Sequence, residues 1–353
     1  MERRQLGRTG LKVSVIGFGC GMVGGLMVGG SAVEQDQAVG GAIDAGINYF
    51  DTAPFYGAGM SETNLGRALR ALRQRPIVGT KFRINPDVGS GQGIAEAIEV
   101  SVDESLRRLQ LERIDLLQLH NPVSPESAGG ALSAATVKDA MSPALQRLIG
   151  QGKVGYVGLT GLGHAQSVIE LAESGLFDTA QVSYSLLNPS AAIPPPAGSA
   201  GEDHCGMLTP LRHANLGVIG IRLLSGGSLS GAPKRHPTAM SRVIPLGRGP
   251  GSGRDYAGDV DMARRFDFLV RENLAQSLAA AALRYGLSNT DIHTMAVGFS
   301  SQDQLDEAIR CASAGAFETP TLDRIANIQQ ELGVAAGAGA EHAGPAPLPR
   351  SIS

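Results

Sequence analysis

The chain predicts an α/β fold, a (β/α)8 TIM barrel preceded by an N-terminal β-hairpin. Three observations predict it. Apolar strand-like runs alternate regularly with segments of helical period, eight such units can be counted, and polar residues stand at the downstream ends of several runs. The hairpin comes first: Arg4 to Leu6 and Leu11 to Val13 flank a Gly-Arg-Thr-Gly turn, and a short ribbon of this kind can plug the bottom of a barrel. A strand from Val13 to Gly19 follows, then a helix from Gln35 to Ala45, Ile47 to Asp51 as a strand and Ser61 to Leu72 as a helix. Ile77 to Lys81 and the helix Ile94 to Leu109 form the next unit, and Leu116 to His120 with Val137 to Gln151 the one after. The strands Val157 to Thr160, Thr179 to Ser183, Gly217 to Ile221 and Thr294 to Gly298 complete the eight, followed by helices starting at Ala165, Leu208, Glu272 and Gln302. The Glu272 helix is expected to end at Tyr285.

Three stretches interrupt this rhythm: Asn121 to Thr136, Tyr184 to Met207 and Leu223 to Val260, each rich in Gly, Pro, Ser or Ala and each following a strand. Long loops after strands of a parallel barrel gather on one face, so these are assigned to the mouth of the site. A last helix spans Thr321 to Leu332. The folded barrel is therefore expected over residues 1–333, with the Ala/Gly/Pro-rich residues 334–353 as a disordered tail.

A net charge of -3 with 18 % charged residues supplies no basic field for nucleic acid or anionic lipid, so the expected partner is a small molecule. Cys20, Cys205 and Cys311 are odd in number and lack metal-ligand spacing, which favours a reducing compartment, with the cytoplasm as the default. The histidines share no ligand spacing, so no metal is expected. No targeting segment or membrane span is read, and the oligomeric state is not legible.

The polar strand ends carry the chemistry. Asp51 closes INYFD, Tyr56 follows by five, Lys81 closes PIVGTK and His120 closes IDLLQLH. Each has an ordinary reading alone: a helix-capping start, a loop aromatic, a solvated strand end, a satisfied histidine. On one barrel face they make a proton-transfer set. A phenol that donates near neutral pH needs its pKa brought below about 10, and a neighbouring ammonium supplies that shift. Lys81 is expected to do this for Tyr56, with Asp51 orienting the lysine and His120 hydrogen-bonding the substrate oxygen.

FDTAPFYG, GTKF, LLQLHN and the N-terminal RQLGRTGLKVSVIGFG together resemble the aldo-keto reductase family, from about Arg4 to Leu332. The resemblance implies that Asp51, Tyr56, Lys81 and His120 are the catalytic tetrad and that an NADP or NAD cofactor lies across the barrel mouth. By the same resemblance Gly19, Cys20, Asp51, Thr160, Gln181, Ile221, Arg222, Leu223, Gly298, Ser300 and Gln304 are the candidate cofactor contacts. Gly161 stands where an asparagine is usual, Ile221 where many members have tyrosine, and Arg222 where they have serine; Arg222 is a candidate partner for the pyrophosphate. At the adenosine-phosphate segment Phe299, Ser300, Ser301 and Gln304 are uncharged, which implies weak discrimination between NADPH and NADH.

Gly19-Cys-Gly-Met-Val-Gly24 also satisfies a dinucleotide-binding G-x-G-x-x-G. Its spacing argues otherwise, because helical period begins near Val33 and not at the second glycine. The expected activity is hydride transfer between a nicotinamide and a small aldehyde, ketone, sugar or hydroxy-lactone, or the reverse oxidation of an alcohol. The alternative is a cofactor-sensing subunit with little turnover.

Overall fold

The structure, a computed structural model, describes residues 1–85, 91–199, 201–239 and 255–336. Strands β1 (Arg3–Gln5) and β2 (Lys12–Ser14) form the antiparallel hairpin, with Arg4 opposite Val13. Eight parallel strands then close a barrel in sequence order: β3 (Ile16–Gly19), β4 (Tyr49–Asp51), β5 (Ile77–Phe82), β6 (Ile114–Leu119), β9 (Val154–Thr160), β10 (Thr179–Ser183), β11 (Gly217–Ile221) and β12 (Thr294–Gly298). The loop between β6 and β9 carries a two-residue parallel pair, β7 (Val123–Ser124) and β8 (Leu132–Ser133). Closure joins Met295 to Ile16 and Gly298 to Gly19.

The sequence-read strand Val13 to Gly19 serves two sheets. At Val15 the chain leaves the hairpin, donating to Glu2 O, and enters the barrel, accepting from Met295 N. The hairpin seals the floor: Leu6 and Val13 pack with Tyr49, Leu116 and Ile219, all fully buried, and Arg8 N reaches Asn215 O at 2.9 Å. A larger apolar core lies between the strands and their surrounding helices.

Helix boundaries follow local capping. The first long helix spans Ala32–Asp44, earlier than the hydrophobic period suggests, because Ser31 and Glu34 form a reciprocal capping box. The helix read from Glu272 instead spans Leu278–Ser288: Asn273 sits at φ 57, and Ser277 accepts from Ala280 N as the cap. Within the loop read from Leu223 to Val260, a helix at Tyr256–Ala263 is capped by Asp255; residues 240–254 of that loop lie outside the described residues. The final helix is Thr319–Glu331. Past it the chain stays packed, with Val334 and Ala335 buried and Ala336 N on Pro194 O at 3.0 Å; residues 337–353 of the expected tail lie outside the described residues. Among the described residues no helix is long and apolar enough to cross a membrane.

The dinucleotide-binding reading of Gly19 to Gly24 is excluded. The glycine-rich loop after β3 holds only a four-residue helical turn, Leu26–Gly29, and the sheet is a closed barrel.

Candidate active site

Parallel strands bring their downstream ends to one face, and there the polar residues meet. Asp51 ends β4, Lys81 lies in β5, His120 follows β6, and Tyr56 stands on the turn after β4. Lys81, 1 % exposed, donates through Nζ to Asp51 Oδ2 at 2.5 Å, Thr52 O at 2.9 Å and Tyr56 Oη at 3.1 Å. All three ammonium protons thus have acceptors in a nearly dry pocket. The Tyr56 ring meets the His120 ring edge-on at 6.1 Å.

The second Asp51 oxygen is held as firmly. Oδ1 accepts from Tyr49 Oη at 3.0 Å, Gln118 Nε2 at 3.1 Å and Gln181 Nε2 at 2.7 Å. Sequence reading missed Tyr49 and Gln118. The two-residue period of strands was the available signal: Tyr49 shares a face with Asp51, and Gln118 with His120. Gln181, proposed from the resemblance as a cofactor contact, gives one of its two amide N–H groups to Asp51.

Electrostatics corrects one expectation. Burial, the largest influence, raises the Tyr56 phenol above its ordinary value; Lys81 opposes it and Asp51 adds to it, so the ammonium does not bring the phenol below the ordinary tyrosine value. Tyr56 is a neutral phenol at neutral pH. Burial also pulls at Lys81, but Asp51 and then Tyr56 outweigh it, and the ammonium stays firmly charged. Burial, reinforced by Lys81 and Arg83, lowers His120 to about 3, leaving a neutral imidazole whose Nδ1 is buried without a partner.

The remaining candidates ring the same face. Gly19 and Gly298 end the paired strands β3 and β12, and Cys20 follows with its thiol buried and kept protonated by that burial. Gly25, at φ 85, lies so close under Thr238 that a Cβ there would stand 2.0 Å from the Thr238 carbonyl oxygen; the segment after β11 therefore crosses to the loop after β3. Ser300 Oγ donates to Gly24 O at 2.5 Å, and Ser300 N donates to Gln304 Oε1 at 2.8 Å. Thr160 ends β9 with its hydroxyl on Leu119 O at 3.0 Å. Ile221 ends β11 partly exposed, Arg222, at φ 59, pairs with Glu202 at 3.2 Å, and Leu223 is buried. Ser183 Oγ, at the end of β10, is buried without a partner. No cluster of metal-binding side chains occurs among the described residues.

A model of the Aldo/keto reductase family matches residues 15–330. The chain belongs to the aldo-keto reductase family. It is 31 % identical to L-galactose dehydrogenase of Arabidopsis thaliana, over 88 % of this chain and 87 % of that one. It is 27 % identical to L-glyceraldehyde 3-phosphate reductase of Escherichia coli O157:H7, over 92 % and 91 %. Among solved structures it is similar to the aldo-keto reductase AKR11C1 from Bacillus halodurans in its holo form, with a TM-score of 0.68, 26 % identity, and 96 % and 99 % of the two chains covered. Membership makes this aldo-keto reductase a protein of a nicotinamide-dependent oxidoreductase family.

Proposed function

We propose that this aldo-keto reductase interconverts a small carbonyl compound and its alcohol, with Tyr56 as the general acid in reduction and the general base in oxidation. The observation that carries this reading is the placement of Lys81 Nζ between Asp51 Oδ2 at 2.5 Å and Tyr56 Oη at 3.1 Å. In reduction the neutral phenol gives its proton to the carbonyl oxygen, and the negative charge left on Tyr56 Oη forms beside an ammonium already fixed by Asp51 and Thr52. That charge needs no solvent reorganisation to be met. His120, held neutral, donates a hydrogen bond to the same oxygen and sets the angle of approach to the phenol.

The strand ends fit a nicotinamide cofactor: the orphaned Ser183 hydroxyl at the end of β10 and the partly exposed Arg222 guanidinium just past β11 are polar groups it can use. Gln181, Thr160, Ile221 and Arg222 would hold it at the β9 to β11 ends, with Cys20 and Leu223 beside them just past the ends of β3 and β11. Ser300 and Gln304 would take its adenosine end. Asp51 meets the cofactor only through Lys81 and Gln181. When bound, the cofactor supplies the hydride to the carbonyl carbon, and the proton from Tyr56 completes the alcohol. Arg222 would exchange Glu202 for a cofactor phosphate.

The substrates favoured are small aldehydes, ketones, sugars or hydroxy-lactones; the chain has no tryptophan with which to cage a bulky aromatic. Absorbance at 340 nm with NADH or NADPH and a panel of such compounds tests the reading. Wild type turns over and Tyr56→Phe loses at least about a hundredfold in kcat, the scale of a general acid. A protein that binds cofactor equally in both forms and turns over in neither is a cofactor sensor.

A further inference from the structure

Two residues beyond Lys81 stands a second cation, and no carboxylate pairs with it among the described residues. Arg83 is exposed and makes no ion pair among the described residues, whereas Arg67, Arg108 and Arg222 are paired with Asp36, Glu62 and Glu202. Its guanidinium carbon lies 5.7 Å from the centre of the Phe55 ring, and Phe55, itself 45 % exposed, lies 6.0 Å from the His120 ring. A lone surface arginine on an aromatic is ordinarily a solvated contact worth about 0.5–1 kcal/mol. Two further features set this one apart.

The first is the rigidity of its backbone. His120 N donates to Phe82 O at 2.8 Å, Ile84 N donates to Asn121 Oδ1 at 2.8 Å, and Asn121 Nδ2 donates to Ile84 O at 2.7 Å. Asn121 is 1 % exposed, so the residues flanking Arg83 are clamped to His120 and its successor inside the protein. The second is electrical: the Arg83 charge helps hold the His120 imidazole below its ordinary value, so it is felt at the group proposed to bind the carbonyl oxygen. A guanidinium without an ion pair among the described residues, carried on a clamped backbone and separated from His120 by the Phe55 ring, is a site for an oxyanion, which it can meet through two parallel N–H donors.

We infer that Arg83 selects carbonyl substrates that carry an anionic group, a phosphate or a carboxylate, a short distance from the reacting carbon. The inference rests on the proposed carbonyl–alcohol chemistry and names its substrate class. The Phe55 ring lies between the guanidinium and His120, and Asn121 keeps the backbone beside Arg83 in register with His120.

Two matched pairs test it: glyceraldehyde 3-phosphate against glyceraldehyde, and succinic semialdehyde against butanal. For wild type, kcat/KM for the anionic member of at least one pair exceeds the neutral one by about tenfold or more, a difference of ~1.4 kcal/mol. Arg83→Gln brings that ratio close to one, Arg83→Lys leaves it between, and the responding pair identifies phosphate or carboxylate as the group. Ratios near one for both pairs in wild type, or a ratio that survives Arg83→Gln, overturn the inference and leave Arg83 a surface cation only. Calorimetric titration of glycerol 3-phosphate and glycerol with oxidised cofactor present separates this from the underlying reaction. Arg83-dependent binding of the phosphate without turnover of any aldehyde sustains the anion site and sinks the proposed activity; turnover without Arg83-dependent discrimination does the reverse.

Discussion

Replacing Lys81 by methionine removes the ammonium from the point where Asp51 and Tyr56 converge and keeps the volume of the stem. At 3.1 Å from Tyr56 Oη, and with an effective dielectric constant of about 20, one unit charge stabilises another by roughly 5 kcal/mol. Only part of this reaches the transition state, where the phenolate is partly formed, so a loss of about 2 to 4 kcal/mol, or roughly 30- to 1000-fold in rate, is expected. The side chain is 1 % exposed, so water cannot readily take its place. Lys81→Met also leaves the Asp51 carboxylate buried without its cation, a change that commonly costs about 3–5 kcal/mol of stability. Lys81→Met combined with Asp51→Asn removes both charges, keeps an amide oxygen as the acceptor for Tyr49, Gln118 and Gln181, and recovers part of the melting temperature while the rate stays low. Single-turnover reduction followed at 340 nm, alongside thermal unfolding of wild type and both variants, reads the two effects apart. A folded Lys81→Met protein with more than a tenth of wild-type rate at pH 7 would refute the electrostatic argument.

Protonation gives further expectations. Tyr56 is held above its ordinary value, so reduction stays level through neutral pH and declines only in strongly alkaline solution, whereas alcohol oxidation climbs as pH rises; oxidation that peaks below pH 7 would contradict this. His120 has a depressed folded value, about 3 against an ordinary 6.5, so the unfolded chain binds the extra proton between them, and its stability contribution is complete above pH 6.5 and is lost as pH falls toward 3. From pH 6.5 to 5 this amounts to roughly 2 kcal/mol, and denaturant unfolding of His120→Leu should show a shallower acid slope than wild type by about that much. Apparent affinities for NADPH and NADH should lie within about tenfold of each other, because Ser300, Ser301 and Gln304 bring no cation; a larger NADPH preference counts against this. Gly161→Asn, which installs the residue usual in the family, should destabilise by about 1–3 kcal/mol and disturb Gln181, since its Cβ would stand 2.6 Å from Gln181 O; a neutral melting shift defeats the argument.

The barrel was legible because eight apolar strand runs alternate with segments of helical period, and β10, β11 and β12 have the bounds their apolar runs imply. Asp51, Lys81 and Tyr56 were legible as a group for the same reason: parallel strands make sequence-distant ends neighbours. Helix starts were less so. Ser31 and Ser277 fix theirs by side-chain caps that a hydrophobic period does not register, and the Tyr256–Ala263 helix sits in a segment whose composition reads as loop. Within the site, the balance of forces on Tyr56 was beyond the sequence, because burial beats the nearby ammonium and burial is a property of the finished fold. The donors Tyr49 and Gln118 were hidden by their place inside strands that otherwise read as apolar.

Barrel closure also bears on biosynthesis. The last seam, β12 against β3, joins residues nearly 280 positions apart, so both edges remain without a hydrogen-bonding neighbour until Gly298 has left the ribosome. For that interval the nascent chain presents an unpaired parallel edge, the kind of surface on which strands from other molecules aggregate. A synthesis stall between β11 and β12 should therefore be more harmful to yield than one after the ring has shut.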